Sequence, residues 1–343
     1  MTATELLPRV NKVPDVSEKA LNLFRNNLVW DNLLPWVPVY NIEEIDTILP
    51  RFRETGVNFF SLTLAAGAGA GASIETVIER IGRVKREIRE RSDWLVFAST
   101  VEDIREAKAA NKLAVNFNFQ ETLPFGRNLD MIQTYYDLGI RQALLAYNQK
   151  NLVGDGCNER TDAGLSKFGV DLIKEMNRVG MLVDGSHSGY RTTMDAMEVC
   201  EGPFIFSHSN PFGAFAHFRN IKDDQIDACA ASGGVIGVVG AGGFLDDVNA
   251  STESIFRCLD YLVERAGPEH VGLGLDYVHD VESAFAMRKK SPTAWPNTIM
   301  YNYAGAEQAV GLTQMMIDHG YTDEDIINIL GENWARVCGK VWK

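Results

Sequence analysis

Apolar, β-branched runs recur along the chain, each closing in small or polar residues and each followed by a charged stretch with apolar positions at helical spacing. That alternation predicts parallel strands wrapped by helices. The runs fall at residues 27–30, 57–63, 113–119, 142–146, 181–184, 204–206, 234–239 and 271–274, with a further run at 94–99 read as a small accessory strand. Helical stretches are expected at 42–55, 73–91, 129–138, 167–179, 191–199, 223–231 and 251–265, and a last one over 323–341. Thr322 is placed to cap that last helix, and Asp223 with Asp224 offers carboxylates to the free N–H groups of another. Eight strand–helix units predict an α/β fold, a closed (β/α)8 TIM barrel, with an open doubly wound sheet as the alternative. No Pro- or Ser-rich linker and no repeat divides the chain, so 1–343 reads as one barrel domain with a short N-terminal extension and a C-terminal helix.

Composition narrows the class. Apolar residues make up 45% and charged residues 23% of 343, enough for a sizeable core. A net charge of −13 repels a phosphate backbone or an anionic membrane, so neither nucleic acid nor membrane is an expected partner. Five dispersed cysteines without a CxxC pair read as reduced thiols, and residues 1–15 lack the apolar core of a secretory signal. The expectation is a cytoplasmic protein acting on a small molecule.

Only six histidines are present, and two stand in nearly the same phrase. Asp184-Gly185-Ser186-His187-Ser188 follows one apolar run and Ser207-His208-Ser209 follows another. Strand C-terminal ends are where a barrel places its chemistry, and two imidazoles there can converge on one metal or shuttle protons. Asp276 closes the last predicted strand as a proton acceptor or ligand, or else as a cap of the next turn, and His279 and Asp280 lie just beyond it. Arg219 suits a substrate carboxylate, or else a surface pair with Asp223 and Asp224. The stretch Gly67–Ala72 formally fits a dinucleotide-binding glycine pattern but lacks the acidic residue about 20 positions on, so a loop over the mouth is preferred. Residues 147–159, beginning Tyr147-Asn148, form a polar loop suited to lining a substrate pocket, and Trp295, Tyr301 and Tyr303 mark an interface or a lid.

At these residues the chain resembles the membrane (renal) dipeptidase family, the zinc-dependent peptidases of type M19. The resemblance runs from about residue 27 to 341 and rests on LSKFGVDLIKEMNRVGMLVDGSHS, PFIFSHSNP, FRNIKDD, HVGLGLD and TDEDIINILGENWARV. It implies an amidohydrolase-like barrel, a homodimer or higher homo-oligomer, and two zinc ions sharing a hydroxide that attacks a dipeptide amide. Carried over, His187 and His208 match two ligands of one zinc. Asp276 matches the aspartate that handles protons at the leaving amine, and Arg219 matches the arginine that holds substrate. Other positions depart from the pattern. The first strand, where the family has His-x-Asp, reads Trp30-Asp31-Asn32-Leu33-Leu34; the bridging glutamate is Gln120; and Tyr147 replaces a substrate-contacting histidine. Neutral Gln120 and apolar Leu33 weaken any site for two dications, so one zinc, or none, is expected. The residues thus predict His187 and His208 as metal ligands, Asp276, Gln120 and Tyr147 as catalytic groups, and Arg219, Tyr147 and Asn148 as substrate contacts. The reaction expected is hydrolysis of a peptide or amide bond in a small carboxylate-bearing substrate. The alternative is a lyase, dehydratase or isomerase acting on a small molecule in the same pocket, with or without metal.

Overall fold

The structure, a computed structural model, describes residues 6–10, 12–35, 45–67 and 73–343. One parallel sheet contains β1 (Trp30–Leu34), β2 (Phe59–Ala66), β3 (Leu95–Phe97), β4 (Leu113–Gln120), β5 (Ile140–Leu144), β6 (Leu182–Asp184), β7 (Ile236–Val238) and β8 (Val271–Leu273). Their order is β6-β5-β4-β2-β1-β8-β7, with β3 on β4 off that path. The segment 204–206 joins the two ends, because Ile205 bridges to Asp184 of β6 and Phe206 to Ile236 of β7. The ring therefore closes as a parallel barrel, and the open doubly wound alternative falls. The accessory run is β3, which pairs with Leu113–Val115 of β4 before β5 takes over that edge at Phe117–Phe119.

Alternation along β4 separates the interior from the helical layer. Phe117 and Phe119 pack outward on Phe97, Phe125 and Tyr135. Asn118 and Gln120 point the other way, onto Ser61 and Thr63 of β2. The first strand lies later than the expected 27–30, because its polar residues are bonded inside the barrel rather than released into a loop. Asn32 Oδ1 accepts from Trp30 Nε1 at 3.0 Å, and Asn32 Nδ2 donates to Gln142 Oε1 at 3.0 Å.

The C-terminal helix closes the bottom. Trp334 is fully buried and donates to Leu273 O at 3.1 Å, directly under Gly272, where a Cβ would meet its ring nitrogen at 2.4 Å. A buried cluster of Leu28, Trp30, Leu182 and Trp334 fills that end, which leaves the strand C-termini as the open face. A helix begins at Ile45, within the expected 42–55; residues 42–44 and the glycine-rich 68–72 lie outside the described residues. Among the described residues no helix is long and apolar enough to cross a membrane.

Candidate active site

Two Ser-His turns leave neighbouring staves and are tied together by one buried carboxylate. Asp184 Oδ1 accepts from Ser186 N at 2.9 Å and from Ser207 N at 3.0 Å, while Ser186 Oγ accepts from His208 N at 3.1 Å. Gly274 lets β8 approach the second turn closely, since a Cβ there would lie 1.8 Å from Ser207 O. His187 and Asp276 both adopt left-handed backbone, at φ 64° and 57°. Such conformations are costly for non-glycine residues and gather at functional sites.

The imidazoles meet at 3.0 Å, Nε2 to Nε2. His187 Nδ1 lies 2.7 Å from Asn148 Oδ1, and His208 Nδ1 lies 2.7 Å from Ser207 Oγ. One proton arrangement satisfies every contact: Ser207 donates to His208, His208 to His187, and His187 to Asn148, whose Nδ2 donates to Ala294 O at 3.0 Å. Burial, and then the Arg219 guanidinium, push both histidines well below their usual pKa, so both are neutral at pH 7. Neutral imidazole is also the form that binds metal.

The donor set decides how much metal it can hold. Because the Ser207 hydroxyl can accept as readily as donate, His208 can carry its proton on Nδ1 and leave both Nε2 lone pairs facing one point. Among the described residues, however, no three His, Cys, Asp or Glu side chains converge on a metal. Asp31 turns its Oδ1 onto the N–H groups of Leu33 and Leu275, at 3.2 and 3.1 Å. Gln120 donates to Thr63 Oγ1 at 3.0 Å and brings no charge. These residues do not fit a dinuclear centre, which needs bridging and terminal carboxylates.

Two cavities flank His187. One is lined by Gln120, Tyr147, Asp276, Arg288 and Trp295; the other by Cys157, His217, Arg219 and Lys222. Tyr147 stacks on the His187 ring at 4.0 Å and 18°, and burial raises its phenol pKa. Burial likewise raises Asp276 to about 7, against the opposing pull of Arg219 and Arg288. Arg219 is 2% exposed and donates to His208 O at 3.0 Å, while its Nε has no hydrogen-bond partner. The alternative of a surface pair is thereby overturned, and Asp223 pairs with Arg265 instead.

Asn148 departs from its expected role as a substrate contact. It is fully buried behind His187, with its amide engaged by His187, Cys157 and Ala294, so it orients the ring and does not line either cavity. Nor do His279 and Asp280 reach the histidine pair; they line a separate cleft with Arg9, and Asp280 caps the helix Val281–Lys289. Trp295, Tyr301 and Tyr303 form the wall of the Asp276 cavity. Sequence reasoning passed over Asp184, which holds both turns, and Arg288. The Asp at the start of DGSHS was a usable signal for the first, whereas Arg288 sits in an unremarkable basic run, Arg288-Lys289-Lys290.

A closed parallel barrel with this histidine pair at its C-terminal mouth has the architecture of amidohydrolase-like enzymes. The chain belongs to the membrane dipeptidase family (peptidase family M19), whose description it matches over residues 5–294. It is 32% identical over 249 residues to an uncharacterized dipeptidase of Schizosaccharomyces pombe, a match covering 68% of this chain and 60% of that protein. Its identity to the dipeptidase VerJ of Clonostachys rogersoniana is 27% over 274 residues, covering 78% of this chain and 66% of that one. The matches thus span under two thirds of either relative. Among solved structures, an amidohydrolase from Pseudomonas aeruginosa superposes with a TM-score of 0.82 at 26% identity, covering 94% of this chain and 99% of its own.

Proposed function

We propose that this protein hydrolyses a peptide or amide bond in a small, carboxylate-bearing substrate, with His187 and His208 holding a single zinc ion. The observation that carries this reading is the convergence of two neutral Nε2 atoms, 3.0 Å apart, at the mouth of a barrel of the dipeptidase family. When bound, zinc supplies a water of lowered pKa and polarises the scissile carbonyl.

The chain's own groups do the rest. Arg219, charged and without a carboxylate partner among the described residues, takes the substrate carboxylate. Asp276, at about 7, is partly protonated at neutral pH and delivers a proton to the leaving amine. Tyr147 holds the His187 ring flat from one side, and Asn148 fixes it from Nδ1. Gln120 presents a neutral amide to the same cavity, which suits one cation rather than two. The family resemblance and the unpaired thiols support a cytoplasmic homo-oligomer as the working form.

Elemental analysis of protein purified without added metal tests the proposal. The expected result is about one zinc per chain, with metal and at least about 10³-fold of dipeptide hydrolysis lost together in His187→Ala. Full activity with no bound metal would overturn it. The second reading, a metal-free lyase or isomerase, would then stand on the closed hydrogen-bond chain from Ser207 to Asn148.

A further inference from the structure

The Asp276 cavity contains a buried cation that hydrolysis of a simple dipeptide does not use. Arg288 lies on the helix Val281–Lys289 that follows β8, and only 2% of it is exposed. Its Nη1 donates to Tyr303 Oη and its Nε to Thr298 Oγ1 at 3.2 Å, while Nη2 has no hydrogen-bond partner. The guanidinium lies over the Tyr301 ring at 4.1 Å. Its acceptors are therefore neutral hydroxyls and a π face, and among the described residues it forms no ion pair. Burying a cation with no counter-ion in contact is costly, and a bound anion relieves that cost.

Arg219 repeats the pattern in the other cavity: it is 2% exposed, has an unpartnered Nε and lies 5.1 Å from the Phe244 ring. His187 lines both cavities, and both guanidinium groups act on the Asp276 carboxyl, so two cations serve one centre. From this juxtaposition we infer that Arg288 is a specificity-determining residue that binds a second anionic group, so that the substrate is a dicarboxylate. The inference rests on the hydrolytic reading for the bond between them, but the anion site stands on Arg288 alone. Lys cannot reproduce it fully, because Arg288 uses a planar fork to hold Tyr303 and Thr298 while leaving Nη2 for ligand.

Calorimetric titration with glutarate and adipate, against butyrate and hexanoate, tests the site without turnover. Wild-type protein is expected to bind one of the dicarboxylates at least about tenfold more tightly than its monocarboxylate partner. Arg288→Met should abolish that preference, Arg288→Lys should keep part of it, and Arg219→Met should weaken both ligand types. Melting curves identify any variant that has not folded, and Arg288→Lys then carries the comparison. Equal binding of both ligand types by wild-type protein, or a preference unchanged in folded Arg288→Met, overturns the inference. Loss of all dipeptidase activity in the wild type with the preference intact would sink the hydrolytic proposal and leave the anion site standing.

Discussion

The two sides of the barrel mouth are built from different chemistry. On the side of β1, β2, β4 and β5, most inward polar groups are amides and hydroxyls that answer one another: Trp30 with Asn32, Asn32 with Gln142, Gln120 with Thr63, and Asn118 with both Thr63 and Ser61; the exceptions are Asn116, whose buried amide has no partner, and the Asp31 carboxyl. On the side of β6, the segment 204–206 and β8, the groups are titratable or charged, His187, His208, Asp276, Arg219 and Arg288, and two of them, Arg219 at Nε and Arg288 at Nη2, lack a partner. A satisfied neutral network stabilises and positions, whereas unpaired buried charge costs stability and is retained where a ligand completes it. The contrast places the imidazole pair, Arg219, Arg288 and Asp276 on one side of the ring, which is where the proposed reaction would run. In the two-zinc pattern that the resemblance implies, the first side supplies ligands as well.

The largest expected effect comes from Asp276. Asp276→Asn should lower kcat by about 10²–10⁴, the usual contribution of a positioned proton donor. The wild-type rate should fall as pH rises through about 7, and the variant should lose that dependence. Asp31 also lies at about 7, but its carboxylate faces Leu33 and Leu275, so Asp31→Asn should keep the pH limb. In the wild type stability should fall with rising pH as activity does, but the Asn substitution should move the two in opposite directions. The folded carboxyl binds its proton more tightly than the unfolded one, so its stabilising contribution is full below about pH 4 and is lost as pH rises through about 7. Asp276→Asn should therefore raise unfolding free energy by on the order of 2 kcal/mol at pH 8 and by less at pH 5, as denaturant titrations at the two pH values would show. An Asn variant equally active and equally stable at both would remove Asp276 from the reactive side.

Next in size is Arg219. Arg219→Met should raise KM for a dipeptide by about tenfold or more and leave a C-terminally amidated analogue nearly unaffected, since only the former presents a carboxylate to the guanidinium. If both substrates respond alike, Arg219 supports His208 through its carbonyl and is not a carboxylate clamp.

How much of this was legible follows the same division. The staves are readable because buried parallel strands show as short apolar runs, and the Ser-His phrases stand at the ends of two of them. Strand limits are less readable where polar residues turn inward: Asn32 looks like loop chemistry until Gln142, 110 positions away, is seen to receive its amide hydrogen. Asn148 has a loop residue's surroundings in sequence, yet folding places it behind His187. Arg288 is the least readable of all. Its neighbours Lys289 and Lys290 are exposed, and nothing local distinguishes the one cation of the three that is buried over Tyr301.

The smallest effect on catalysis, and the sharpest test of the contrast, is expected on the neutral side. Asn32→Ala removes the partner of Trp30 Nε1 and of Gln142 Oε1 and leaves both buried, at a cost of about 2–4 kcal/mol in stability. Because Asn32 lines neither cavity, kcat/KM measured well below the melting temperature should change less than about threefold. Pairing it with Gln142→Leu makes the argument stronger: once the second amide is gone, Asn32 has less to lose, so the double variant should be less destabilised than the two single losses added together. A fall in kcat/KM comparable to that of Asp276→Asn, with stability scarcely altered, would mean that the neutral side takes part in the chemistry and that the division of the mouth is wrong.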